Sequence, residues 1–223
     1  MKSNTIDHKA TIVNVIVWTF AYLAICGIIP TAINMMIWRK IDSNASTWFN
    51  LFTLILFNSM FLVSLIKKYE LKIDFFYNVT VAHILLAICC SIMFYFLLDR
   101  LFDPFFDSIF PTSADEYQET LEALKQAPVA NFIHTCLLAP VVEESFMRGY
   151  VLSVLRNKYG VITALLVSAV LFAALHFNFV QTLSAVVCGL VLGLLYLKTN
   201  SLFCCILAHA LYNTISFFTA VVG

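Results

Sequence analysis

Seven apolar runs succeed one another along the chain, at residues 11–38, 48–66, 79–98, 128–156, 161–179, 180–197 and 202–222. A helix needs about 20 predominantly apolar residues to cross the hydrocarbon of a bilayer, at about 1.5 Å of rise per residue. Within lipid every backbone N–H and C=O must be satisfied inside the chain, which leaves only helices and closed barrels. Unbroken runs of this length select helices. The expected fold is therefore all-α: a polytopic membrane bundle of about seven to eight transmembrane helices. Composition agrees, since 61% of the 223 residues are apolar and 12% charged, about half the charge of a soluble domain. The formal net charge is zero, so the chain has no global field to hold nucleic acid.

The runs also set the expected organisation. Gly27 and Pro30 predict a kink in the first run. Residues 99–127 change character, with Asp103, Asp107, Asp115, Glu116, Glu119 and Glu122 beside Pro104 and Pro111. They are expected to form an acidic extramembrane segment, with an amphipathic helix beginning at Ser113. The gap between the fifth and sixth runs holds only Asn178 and Gln181 as polar markers. Met1–Ala10 is short and polar, and the run after it is too long for a cleaved signal, so it reads as a retained first helix. All seven cysteines fall in apolar runs without a C-x-x-C pair, where thiols behave as small hydrophobes.

With the N-terminus inside and seven spans, Lys2, Lys9, Lys67, Lys68, Lys72, Arg148, Arg156, Lys158 and Lys198 fall inside. Arg39, Lys40, Arg100 and Lys125 fall outside. The excess favours N-in. Lack of targeting extensions points to a bacterial cytoplasmic membrane.

Charge is nearly absent from the last four runs, which makes its placement informative. Glu143, Glu144 and Arg148 lie in the fourth run, His176 in the fifth and His209 in the seventh. An Asp, Lys or Arg at mid-membrane costs about 2.5–3.5 kcal/mol on insertion scales, so intramembrane ionisable groups face a partner or a cavity and mark functional sites. Glu144 and Arg148 stand at i and i+4, acid before base, the favourable order for an ion pair. That pair reads as mainly architectural. Glu143 is turned about 100° from Glu144 on a helix and cannot share Arg148 equally well, which leaves it as the candidate general base. His209 and Asn213, also i and i+4, point to one side of the last helix. Imidazole and carboxamide donors so placed can hold a carbonyl oxygen as negative charge develops on it, or clamp two helices together. Phe172 and His176 repeat the one-turn spacing.

The ordered set Glu143-Glu144-x-x-x-Arg148, Phe172-x-x-x-His176 and His209-x-x-x-Asn213 resembles the CPBP family of intramembrane proteases, also called the Abi or CAAX-protease family. That family includes endopeptidases that trim prenylated CAAX proteins and bacterial members linked to bacteriocin processing and self-immunity. The stretch Tyr196-Leu197-Lys198-Thr199-Asn200-Ser201-Leu202 is similar as well. The resemblance divides the chain into residues 1–127, N-terminal helices plus the acidic segment, and a catalytic core at 128–223. It implies that Glu143 and His176 activate a water for attack on a peptide carbonyl. It further implies that His209 and Asn213 stabilise the oxyanion, with Glu144, Arg148 and Phe172 in support. No cofactor is expected. The implied substrate is a peptide or a lipid-anchored or membrane protein within the bilayer.

Three other readings compete with this one. Zinc held by Glu143, His176 and His209 would make a metalloprotease, although the chain lacks H-E-x-x-H and Asn213 would have no part in it. A non-catalytic bacteriocin self-immunity or scaffold protein would keep the motif residues as a clamp. A transporter would use intramembrane Glu and His as a proton relay.

Overall fold

The computed structural model describes residues 11–41, 43–176 and 178–222. The polar segment Met1–Ala10, with Lys2 and Lys9 of the charge count, lies outside the described residues. Among the described residues there are eight helices and no strand. They are α1 (Ile12–Lys40), α2 (Ser43–Tyr69), α3 (Val81–Ile109), α4 (Pro111–Lys125), α5 (128–159), α6 (Val161–Ala173), α7 (Phe179–Thr199) and α8 (Leu202–Val221). Five of them, α1, α2, α3, α7 and α8, are long and apolar enough to cross a membrane. Their outer faces expose Val13, Phe20, Phe52, Val81, Phe96 and Leu194, far more apolar surface than a soluble domain leaves uncovered. The protein is an integral multi-pass membrane protein.

Two of the seven expected runs are not simple spans. Helix α5 carries the ionisable residues in its middle. Helix α6 has only 13 residues, about 20 Å at 1.5 Å per residue, short of a hydrocarbon core about 30 Å thick. It ends at Ala173, not at 179, and the next helix starts at Phe179. His176 therefore lies in the turn after α6, not one turn further along it.

The acidic segment is also placed differently from expectation. Helix α3 does not stop at Leu98; it runs on to Ile109, carrying Asp99, Asp103 and Asp107 into the bundle. Only α4 is amphipathic. It begins at Pro111, a residue suited to a first helical turn. It turns Ser113, Tyr117, Leu121 and Leu124 inward and leaves Asp115, Glu116, Glu119 and Glu122 exposed.

Proline explains three local departures from α-helical geometry. A proline inside a helix removes one N–H and pushes against the carbonyl four residues earlier. Wide π-helical turns at Leu23–Ile28, Tyr95–Phe102 and Ile133–Leu138 each end two residues before Pro30, Pro104 and Pro140. Each takes up the displaced carbonyl without breaking the helix. A further π-helical turn, Ser145–Leu152, contains Arg148 and Gly149.

The core follows α5. Phe146 stacks on Tyr22 with centroids 5.8 Å apart and meets the edge of Phe61 at 5.2 Å. This ties the first two helices to the motif helix. Gly160, at φ +82°, makes the reversal between α5 and α6, a conformation glycine adopts at no steric cost. Asn78 Nδ2 donates to Thr199 O at 2.6 Å, and Ser153 and Tyr196 pair at 3.0 Å. The α2–α3, α5–α6 and α7–α8 connections thus share one end of the bundle, with Lys67, Lys68, Lys72, Arg156, Lys158 and Lys198. Helix α4 and the α6–α7 turn share the other, joined by Ser113 Oγ donating to Asn178 Oδ1 at 2.9 Å.

Candidate active site

Helix α5 carries two carboxylates into different surroundings. Glu144 and Arg148 are both fully buried. Arg148 Nη1 lies 2.9 Å from Glu144 Oε1, and the same oxygen lies 3.0 Å from His209 Nδ1. Arg148 Nη2 donates to Gly189 O at 2.9 Å, using the spare lone pair of a helix carbonyl. The guanidinium sits 4.8 Å over the ring of Phe172, a favourable cation–π contact. Gly189 lets α7 pack closely on α6, because a Cβ there would stand 3.0 Å from the Ala169 backbone. Glu144 Oε2 and Arg148 Nε have no hydrogen-bond partner among the described residues.

Glu143 is half-buried and faces elsewhere. Its Oε1 takes a long contact, 3.4 Å, from the Tyr22 hydroxyl of α1. It lines a cavity of about 430 Å³ together with Phe172, His176, His209 and Asn213. Glu144 and Arg148 do not line that cavity. The structure thus brings Glu143, His176, His209 and Asn213 to one space and sets the ion pair behind it.

Hydrogen bonds orient the cavity residues. His176 Nδ1 lies 3.2 Å from Phe172 O. A carbonyl only accepts, so Nδ1 carries a proton and Nε2 is the nitrogen turned away from this bond. The turn holding His176 is pinned by Thr182 Oγ1 donating to His176 O at 2.9 Å. Asn178 caps α7 through Gln181 N at 3.1 Å. In His209, Nδ1 is engaged by Glu144, which leaves Nε2 as the free ring nitrogen. Asn213 Nδ2 donates to Thr135 O at 2.9 Å, within the π-helical turn that precedes Pro140.

Several cavity residues escape the sequence reading. Asp103 lines the far part of the cavity with Tyr117, Gln181 and Ser184, and Ser184 Oγ donates to Asp103 Oδ1 at 2.5 Å. Tyr212 donates to Asp99 Oδ1 at 2.7 Å. Burial, then the nearby Asp103 and Asp99 carboxylates, push the Tyr117 phenol up to about 12. The signal for the aspartates was present: Asp99, Asp103 and Asp107 recur at helical spacing. Tyr22 and Thr135 carry no sequence signal of this kind. Among the described residues no three His, Cys, Asp or Glu side chains converge as the ligands of a metal would, and the set Glu143, His176 and His209 is not so arranged.

Comparison with known proteins gives one result. Residues 125–215 match the family described as type II CAAX prenyl endopeptidase Rce1-like. No curated protein and no solved structure matches the chain. The matched residues span α5 to α8 and contain all three motifs. Over these residues the chain is similar to the CPBP, or CAAX-protease, family.

Proposed function

We propose that the protein is an intramembrane endopeptidase that hydrolyses a peptide bond of a membrane-associated protein or peptide. One observation carries the reading: Glu143, His176, His209 and Asn213 line a single cavity within a membrane bundle. A water beside Glu143 and His176 gives up a proton to them as its oxygen bonds to the scissile carbonyl carbon. The carbonyl oxygen takes up the negative charge and is stabilised by His209 and Asn213. The C–N bond then breaks, and the proton first removed from water is delivered to the leaving amine. Glu144 orients His209 through Nδ1, so that the other edge of the ring faces the oxyanion. Arg148 offsets the charge of Glu144.

Glu143→Gln tests this reading. It keeps the shape and removes the base, so cells should lose the released peptides, as read by comparative peptidomics, while the protein stays in the membrane at its normal level. A self-immunity or scaffold protein would keep its phenotype in that variant, and that result would sink the hydrolase reading. The basic residues of the α2–α3, α5–α6 and α7–α8 connections support an N-in orientation, in a bacterial cytoplasmic membrane. The end bearing α4, toward which the cavity extends, then faces outward.

A further inference from the structure

We infer that Asp103 is a specificity-determining residue of the cavity, selecting a substrate segment that carries a lysine or arginine side chain. The word substrate rests on the endopeptidase reading above; the binding preference does not. Because α3 continues to Ile109, Asp103 sits inside the bundle and lines the same space as Glu143, His176 and His209. The chemistry assigned to Glu143 and His176 leaves it without a role in water activation.

Its hydrogen-bond donor among the described residues is a neutral hydroxyl, that of Ser184, and Asp99 one turn earlier likewise takes the Tyr212 hydroxyl. Among the described residues neither aspartate forms a salt bridge, and no lysine or arginine lines the cavity. Arg148 is engaged by Glu144 and Gly189. Arg39 lines a neighbouring vestibule that shares Thr120, Leu124 and His134 with this cavity. An ionised carboxylate accepts at about four lone-pair positions, and one hydroxyl leaves capacity for more.

A carboxylate in a cavity that no lysine or arginine lines is compensated by a cation that the ligand brings. A cationic side chain supplies that charge. A chain-terminal carboxylate is opposed by both Asp103 and Glu143. The cavity therefore fits an internal peptide segment with a basic residue near the scissile bond better than it fits a free C-terminus.

The test uses purified full-length protein in lipid nanodiscs and matched fluorogenic peptides. These bear lysine, its uncharged analogue norleucine, or glutamate at each position around the bond. At one position lysine should exceed norleucine in kcat/KM by about tenfold or more, the scale of one desolvated charge pair, with glutamate below both. Asp103→Asn keeps the shape and the Ser184 contact, and should bring the lysine-to-norleucine ratio close to one. That ratio is internal to each variant, so a lowered protein level does not move it. An unchanged ratio in Asp103→Asn, or a wild-type preference for glutamate or a free C-terminus, overturns the inference. Binding of the lysine and norleucine peptides to Glu143→Gln protein separates the two proposals. A lysine preference in binding that Asp103→Asn removes, with no hydrolysis by the wild type, sinks the hydrolase reading and sustains Asp103. Equal binding of both peptides sinks Asp103.

Discussion

Arg148→Ala is the substitution whose cost the structure specifies most fully. Both members of the Arg148–Glu144 pair are fully buried. The change leaves Glu144 with His209 alone, opens Gly189 O and strips the cation from the face of Phe172. Removing one partner of a buried pair costs about 3–5 kcal/mol, set against a total stability of about 5–15 kcal/mol for typical domains. The variant should therefore accumulate poorly in membranes and lose thermal stability in detergent, on top of any loss of activity. The double variant Arg148→Met/Glu144→Leu removes both charges and fills the space with apolar side chains of similar reach. Replacing a buried pair in this way is often neutral or stabilising, so the double variant should recover most of the protein level. It should not recover activity, because His209 has lost the carboxylate that orients it. Full accumulation and unchanged melting of Arg148→Ala would refute the claim that this pair carries structural energy. Recovered activity in the double variant would refute the orienting role of Glu144.

Three further outcomes are expected. Gly189→Ala should destabilise the α6–α7 contact by about 1–3 kcal/mol, the usual cost of overpacking, and weaken the Arg148–Gly189 bond with it; a melting temperature equal to wild type would count against that close approach. Single-cysteine reporters in a cysteine-free background should label from opposite sides at Glu119 and Lys158, both exposed and at opposite ends of the bundle; labelling from one side would mean that α5 does not cross. Asn213→Ala should lower turnover by about 10²–10³ with little change in substrate binding, as the loss of an oxyanion donor does, and chelation should leave wild-type activity intact; one tightly bound zinc per chain, lost with activity and restored by adding zinc, would replace this mechanism with a metal-dependent one.

The membrane class and the number of helices were legible because length and apolar content decide them together. Register along the helices was not. Periodicity assumes a constant turn, and three of the π-helical turns sit just ahead of prolines whose steric effect is local. In α5 the turn at Ile133–Leu138 shifts the face that follows it. Spacing alone therefore could not show that Thr135 would offer its carbonyl to Asn213. The end of α3 was misplaced for a related reason. Asp99, Arg100, Asp103 and Pro104 look like the boundary of a span, yet Pro104 sits inside a helix that continues through it. Tyr212 and Ser184 each donate a hydroxyl to these aspartates from α8 and α7, and no local rule reports partners that distant in sequence.

The site residues show the same division between local and distant information. The pairing of Glu144 with Arg148 lies within one turn, and their i, i+4 spacing already expressed it. The contact of Glu144 with His209 joins residues 65 positions apart. It gives Glu144 a second task that spacing could not reveal. His176 illustrates the opposite error. Its distance from Phe172 suggested a shared helical face, yet α6 ends at Ala173 and the imidazole reaches back to the Phe172 carbonyl from a turn. The α6–α7 turn borders the cavity, and there His176 meets Glu143 and His209. Residues from the middle of α5, the middle of α8 and the turn after α6 thus share one space, although 33 and 66 positions separate His176 and His209 from Glu143.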